Sequence, residues 1–210
     1  MDPGPPLRIH GYEAHADLAR HHSAAEITLL AYTGELPDAR ALALFDLALA
    51  LAAPAAITTA AGNAAVLARL LAAPDANVVA IAASLAAEHA EHVVRHHAPW
   101  LRWCERPTND PPPGFTAAPD DRAWSHARAV LGARGLSLST LDNSQPSADA
   151  TLLALLHGSG VREPLHLAAV MVQAALPCLV AEAQRQTPRR LQHYPIAVPA
   201  FEYRDEPSDD

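Results

Sequence analysis

The chain has 210 residues, half of them hydrophobic and only 5% aromatic, and a formal charge of −8 with histidine neutral. That length permits one large domain or a main domain with a small appendage. The charge balance, with no run of Arg or Lys, disfavours nucleic acid as a partner, because phosphate binding needs a positive footprint. Alanine supplies 47 residues and leucine is the other dominant apolar type, whereas β-branched and aromatic strand formers are scarce. Ala and Leu are the best helix formers, so composition predicts an all-α protein.

Residues 1–9 are Pro-rich and read as loose. The first firm helix is predicted over 24–33, entered through a capping box of Ser23 and Glu26 and closed by Gly34 and Pro37. A second follows Asp38 and ends at Pro54, apolar on nearly every face, and a third covers 59–72. Pro74 and Asp75 restart a long fourth helix that reaches His97. Residues 41–53 and 78–85 lack a polar face and are expected to be buried.

Residues 106–121 contain five prolines and no periodicity, which reads as a linker. Beyond it, helices are expected over 122–134, from the Ser147 cap to His157, and from Pro164 to about Gln186, with Pro177 a kink site. The stretch between Gly135 and Pro146 reads as loop, and the tail from Thr187 as extended. The domain layout is thus a larger helical part (1–105), the linker (106–121), a smaller helical part (122–186) and a tail (187–210).

Cys104 and Cys178 are far apart, match no metal or redox spacing, and read as reduced thiols of a cytoplasmic protein. The N-terminus has no basic segment leading into an apolar one, so no export signal is expected. The most apolar stretch, 41–57, is interrupted by Asp46 and Pro54, so no membrane partner is expected either. His89, His92 and His96 lie at i, i+3 and i+7, where two neighbours could ligate Zn²⁺ or Ni²⁺. Histidines also favour a helix C-terminus through the macrodipole, and that reading is preferred, so no metal site is assigned.

Residues 9–46 stop being generic. Gly11-Tyr12-Glu13, then Ser23-Ala24-Ala25-Glu26, then residues 29–37 ending in Leu36-Pro37, resemble in order and spacing the opening of the citrate synthase family. The second half resembles it more loosely. Gly114-Phe115, Pro146-Ser147-Ala148-Asp149, Ala175-Leu176-Pro177-Cys178 and Thr187-Pro188-Arg189-Arg190 match segments that carry a histidine, the catalytic aspartate and two substrate arginines. The resemblance implies a citrate-synthase-like helical bundle with a reduced small domain, and a chain short against full-length relatives.

The implied reaction is condensation of acetyl-CoA with oxaloacetate, or the reverse cleavage, with acetyl-CoA as substrate and no cofactor. It needs a carboxylate base, two histidine donors and Arg forks for the substrate carboxylates. On this register Asp149 is the base, His89 the first histidine, and Arg189 and Arg190 the substrate-binding residues. The glycine pairs that flank the family's first histidine are replaced by Ala86-Ala87 and Ala90-Glu91, residues that favour continued helix. Thr116, Ala117 and Ala118 follow Phe115 without a histidine, and Ala175 stands where an arginine is expected. The site therefore reads as degraded, with weak or absent turnover. The alternative is a non-catalytic scaffold or regulatory partner of an active citrate synthase paralogue. Either form is expected to dimerise, with itself or the paralogue, through the helices around 59–87, and an acyl-CoA is a possible ligand.

Overall fold

The computed structural model describes residues 7–54, 57–107, 110–118, 121–142 and 144–186. The N-terminal stretch is more ordered in pattern than the sequence suggested. Arg8–Ile9 (β1) pairs antiparallel with Tyr12–Glu13 (β2) across a tight turn at His10 and Gly11, both at positive φ. Gly11 has the backbone freedom that a two-residue hairpin turn of this hand requires. His10 Nε2 lies 3.3 Å from the Ala31 carbonyl, tying the hairpin to the helix that follows.

A π-helical turn, Ala14–Leu18, leads into α1 (Ala19–His21). The first long helix, α2, spans Ala24–Thr33. Its capping box is formed as the sequence predicts. Glu26 N–H donates to Ser23 Oγ at 3.2 Å, and Ser23 N–H returns a 2.7 Å bond to the Glu26 carboxylate. Gly34 closes the helix at φ 83°, a left-handed conformation that a Cβ would strain.

Helix α3 (Ala39–Ala52) begins at the Asp38 cap, and α4 (Ala60–Leu70) at Thr59, whose hydroxyl accepts from Gly62 N–H. Helix α5 runs unbroken from Asp75 to His96. Residues 98–105, unassigned from sequence, form α6 (Ala98–Glu105), because Pro99 in the first turn restarts the helix just after His97. Helices α7 (Ala123–Ala133), α9 (Ala148–Gly158) and α10 (Pro164–Gln184) stand where expected. The predicted loop after Gly135 instead contains a one-turn helix, α8 (Ser139–Asp142), seated by the buried side chains of Leu138 and Leu141.

Two apolar clusters hold these elements together. The larger one centres on α9, whose residues 150–156 are all buried, and draws Leu44 and Phe45 from α3, Trp100 from α6, Phe115, Leu131 from α7, and Leu167 and Val170 from α10. It therefore takes side chains from both sides of the Pro-rich stretch. The smaller cluster joins α4, α5 and α10 through Ala61, Ala65, Ala68, Ala82, Ala86, Leu179 and Ala183. Small side chains let these three helices approach closely.

Both burial expectations are corrected: within 41–53 only Leu44, Phe45, Leu47 and Ala48 are buried, and Asp46 and Ala50 are exposed. Residues 78–85 are not covered all round. Val78 and Ala82 are buried, whereas Val79 and Ile81 are exposed, because α4 and α10 pack on one face of α5 only. A second apolar segment, α10, is long enough for the membrane question to arise. By length and composition α10 could cross a bilayer, at a mean hydropathy of 1.7, but it packs on α4 and α5 and contributes Leu167, Val170 and Leu179 to the two cores.

Candidate active site

The cavity that matters is built mainly from five helices. Leu51 and Ala52 of α3, Thr59 with Ala60 and Ala61 of α4, Ala86, His89 and Ala90 of α5, Asp149 and Leu152 of α9, and Met171, Ala175 and Leu179 of α10 enclose about 460 Å³. That volume lies within the range of small-molecule sites. The sequence-predicted pair, His89 and Asp149, thus lines one cavity although 60 residues separate them. Ala175, where an arginine was expected, lines it too.

Asp149 occupies the first turn of α9 and is half-buried. Among the described residues its carboxylate accepts no hydrogen bond and joins no ion pair. It is left facing the cavity with only an electrostatic interaction with His97. Two backbone donors of the helix terminus around it are already occupied. Ser147 Oγ accepts from Ala150 N–H at 3.4 Å, and Asp121 Oδ2 accepts from Ala148 N–H at 2.6 Å. The other oxygen of Asp121 accepts from Ala123 N–H at 3.0 Å, so one carboxylate ties the start of α7 to the start of α9.

The segment after Phe115 lies alongside this helix start. Thr116 bridges Pro146, Ala117 N–H donates to the Gln145 carbonyl, and Ser147 N–H donates to the Phe115 carbonyl, both at 2.7 Å. The backbone after Gly114-Phe115 therefore pairs with the residues just before α9, and neither Thr116 nor Ala117 lines the cavity that Asp149 faces. His89 stands on the continuous stretch of α5, exposed along one edge, with no break in the helix at the replaced glycines. Arg189 and Arg190 lie outside the described residues.

His92 and His96 stack with ring centroids 6.3 Å apart, and both are exposed. Among the described residues no three His, Cys, Asp or Glu side chains converge as a metal shell would. A larger groove of about 1240 Å³ separates α5 and α6 from the start of α10. Its rim mixes Glu88, Glu91 and Glu105 with Arg95, Arg102 and Arg162, and it includes neither Asp149 nor His89.

Sequence reasoning missed three residues that shape the site. Trp100 donates from Nε1 to the Ala150 carbonyl at 2.9 Å and so fixes the turn that carries Asp149. Asp121 caps two helices at once. His97 is 6% exposed, donates from Nδ1 to the Val93 carbonyl at 2.8 Å, and lies against Phe115 with ring centroids 5.0 Å apart. The signal for His97 was present, since Ala98-Pro99 directly after it marks a helix restart rather than a frayed end.

Burial holds the His97 imidazole below its ordinary value, although the Val93 carbonyl and Asp149 pull it partly back. Burial does the same to His157, and the nearby Arg162 pushes it further down. Both rings bind a proton more weakly in the folded chain than in the unfolded one. Stability should therefore be full above the unfolded value near 6.5 and fall as the pH drops below it. The slope is at most about 1.4 kcal/mol per pH unit for each histidine that stays neutral when folded. Urea titrations at pH 7 and pH 5 check this, and His97→Asn, which can keep a donor to Val93, should flatten the slope.

No protein-family model matches the chain, and no curated protein matches it. Among solved structures it is similar to citryl-CoA lyase from Hydrogenobacter thermophilus. The two superpose with a TM-score of 0.66 at 16% sequence identity, over 99% of this chain and 93% of that one. The chain has a citrate-synthase-like, all-α fold. Because the match spans nearly all of both chains, the shortness expected against full-length relatives does not separate these two.

Proposed function

We propose that this citrate-synthase-like chain does not run the family condensation at an enzyme's rate, and that it serves as a dimeric binding or scaffold protein built on that fold. The observation that carries the reading is the convergence of His89, Asp149 and Ala175 on one cavity, with an alanine in place of the expected arginine. The same register assigns the missing histidine donor to Thr116 and Ala117, which pair with the residues just before α9. Losing one positioned acid or base typically costs about 10²–10⁴-fold in rate. Here a donor and a carboxylate fork are both replaced, while the carboxylate remains.

The expected result is that purified protein given acetyl-CoA and oxaloacetate releases free CoA thiol no faster than Asp149→Ala does. Release at an ordinary enzymatic rate that disappears in Asp149→Ala would overturn the reading in favour of a working acyltransferase or lyase. Two unpaired thiols, Cys104 buried and Cys178 half-buried, fit a reducing, cytoplasmic setting.

Dimerisation is part of the proposal, with a second copy or an active paralogue as partner. The alanines of α4 and α5 are used inside the chain, and the outer surface there exposes larger apolar groups instead. Leu67 and Leu71, one turn apart on and just after α4, are 52% and 57% exposed, and Val79 and Ile81 of α5 are also exposed. Light scattering at micromolar concentration should return twice the chain mass, and a Leu67→Glu, Leu71→Glu double variant should return one. A monomer both alone and with the paralogue would contradict the assembly.

A further inference from the structure

We propose that the cavity between α3, α4, α5, α9 and α10 binds a compact apolar amine, held as its ammonium cation by Asp149. This rests on the cavity being a binding site, as above, and adds the class of molecule it takes.

The walls are mostly alanine, leucine and methionine side chains, and the polar groups among them are Thr59, His89 and Asp149. No arginine lines the cavity among the described residues, and the chain contains no lysine at all. A carboxylate ligand would need donors in place of those cations. The natural source is the start of α9, where backbone N–H groups and the helix dipole favour an anion. Two of those donors are taken from within the chain, Ala148 N–H by Asp121 and Ala150 N–H by Ser147. His97, held neutral by burial at neutral pH, adds no compensating charge.

What the cavity offers is an unpaired, half-buried carboxylate over an apolar floor. Among the described residues, an anion would meet Asp149 and the nearby Asp121 with no arginine on the wall to offset them. A neutral alcohol could donate one hydrogen bond to Asp149. An ammonium group could donate up to three, and it carries the charge that the carboxylate lacks. Its apolar body would cover Leu152, Met171 and Leu179. A hydrogen bond to a charged group is worth more than a neutral one, which sets the order amine, then alcohol, then carboxylate.

The test is calorimetric titration of the full chain at neutral pH with three probes of one shape: cyclohexylmethylamine, cyclohexylmethanol and cyclohexanecarboxylate. The amine should bind roughly tenfold or more tighter than the alcohol, and the carboxylate should give no measurable heat. Asp149→Asn should bring the amine down to the level of the alcohol. Ala175→Arg, which returns a cation to the wall, should reverse the preference towards the carboxylate, so either variant can serve if the other misfolds. The proposal is overturned if the carboxylate binds as tightly as the amine, if the amine gains nothing over the alcohol, or if none of the three binds. Its failure is separable from that of the reading above. Amine binding together with Asp149-dependent CoA release would sink only the loss of catalysis. No binding and no release would sink only the amine site.

Discussion

Trp100→Ala should be the most damaging single substitution in the chain, lowering stability by about 3–5 kcal/mol. Trp100 is 1% exposed at the meeting of α6 and α9, packed against Trp103 and Phe115 with ring centroids 4.9 and 6.2 Å away. Truncation would open a large void in the main core, and closure is hindered by the helices on every side. It would also strip the Ala150 carbonyl of its indole donor, leaving that oxygen only its bond within α9, beside the residue that lines the cavity. For a chain of this size the loss corresponds to a fall of roughly 6–20 °C in melting temperature. Trp100→Phe separates the two effects, since it keeps most of the apolar volume and loses the donor, at about 1–3 kcal/mol. Calorimetry on both variants checks this. A Trp100→Ala protein melting within a degree or two of wild type would mean that the core is not organised around α9.

The order of the elements was legible because the sequence punctuates its helices strongly. Ser23 with Glu26, Asp38, Thr59 and Ser147 each mark a helix start through a side-chain oxygen, and each cap is formed in the structure. Local chemistry of that kind can be read without knowing what lies across the core. The helix α6 carried a local signal in Pro99 that went unread, whereas the short helix α8 carried none. Leu138 and Leu141 hold α8 only because α9 and α7 are there to receive them, and no local pattern reports that. The exposed edge of α5 was missed for the complementary reason. Apolar side chains at Val79 and Ile81 predicted burial, but among the described residues α4 and α10 pack on the other face of α5 and leave this one exposed.

The candidate site was half legible. His89 and Asp149 were chosen by register with a family, and the fold brings them to one cavity together with Ala175. The residues that support them were not chosen. Asp121 looked like part of a linker, yet its two oxygens each accept from a different helix start. Trp100 looked like an ordinary aromatic, and its role depends on a carbonyl 50 residues away. Such long-range hydrogen bonds leave no spacing in the sequence to read.

The second large effect concerns proton abstraction, the step on which the family reaction depends. A carboxylate can remove a proton from the methyl group of a thioester at a useful rate only if the thioester oxygen is polarised by donors in place. Asp149 is present, but α5 continues as helix through His89, and on the proposed register Thr116 and Ala117 take the place of a second donor. Each absent donor or acid is worth about 10²–10⁴-fold, so the enolisation half-reaction should fall into the background. This half-reaction needs no oxaloacetate, and therefore does not depend on whether a substrate carboxylate can bind.

The most direct measurement is the exchange of acetyl-CoA methyl protons for deuterium in D₂O, followed by NMR with and without the protein. The account predicts exchange at the buffer rate, unchanged by protein concentration and identical in Asp149→Ala. Exchange that rises in proportion to protein and vanishes in Asp149→Ala would show a working base and donor set, and would contradict the account.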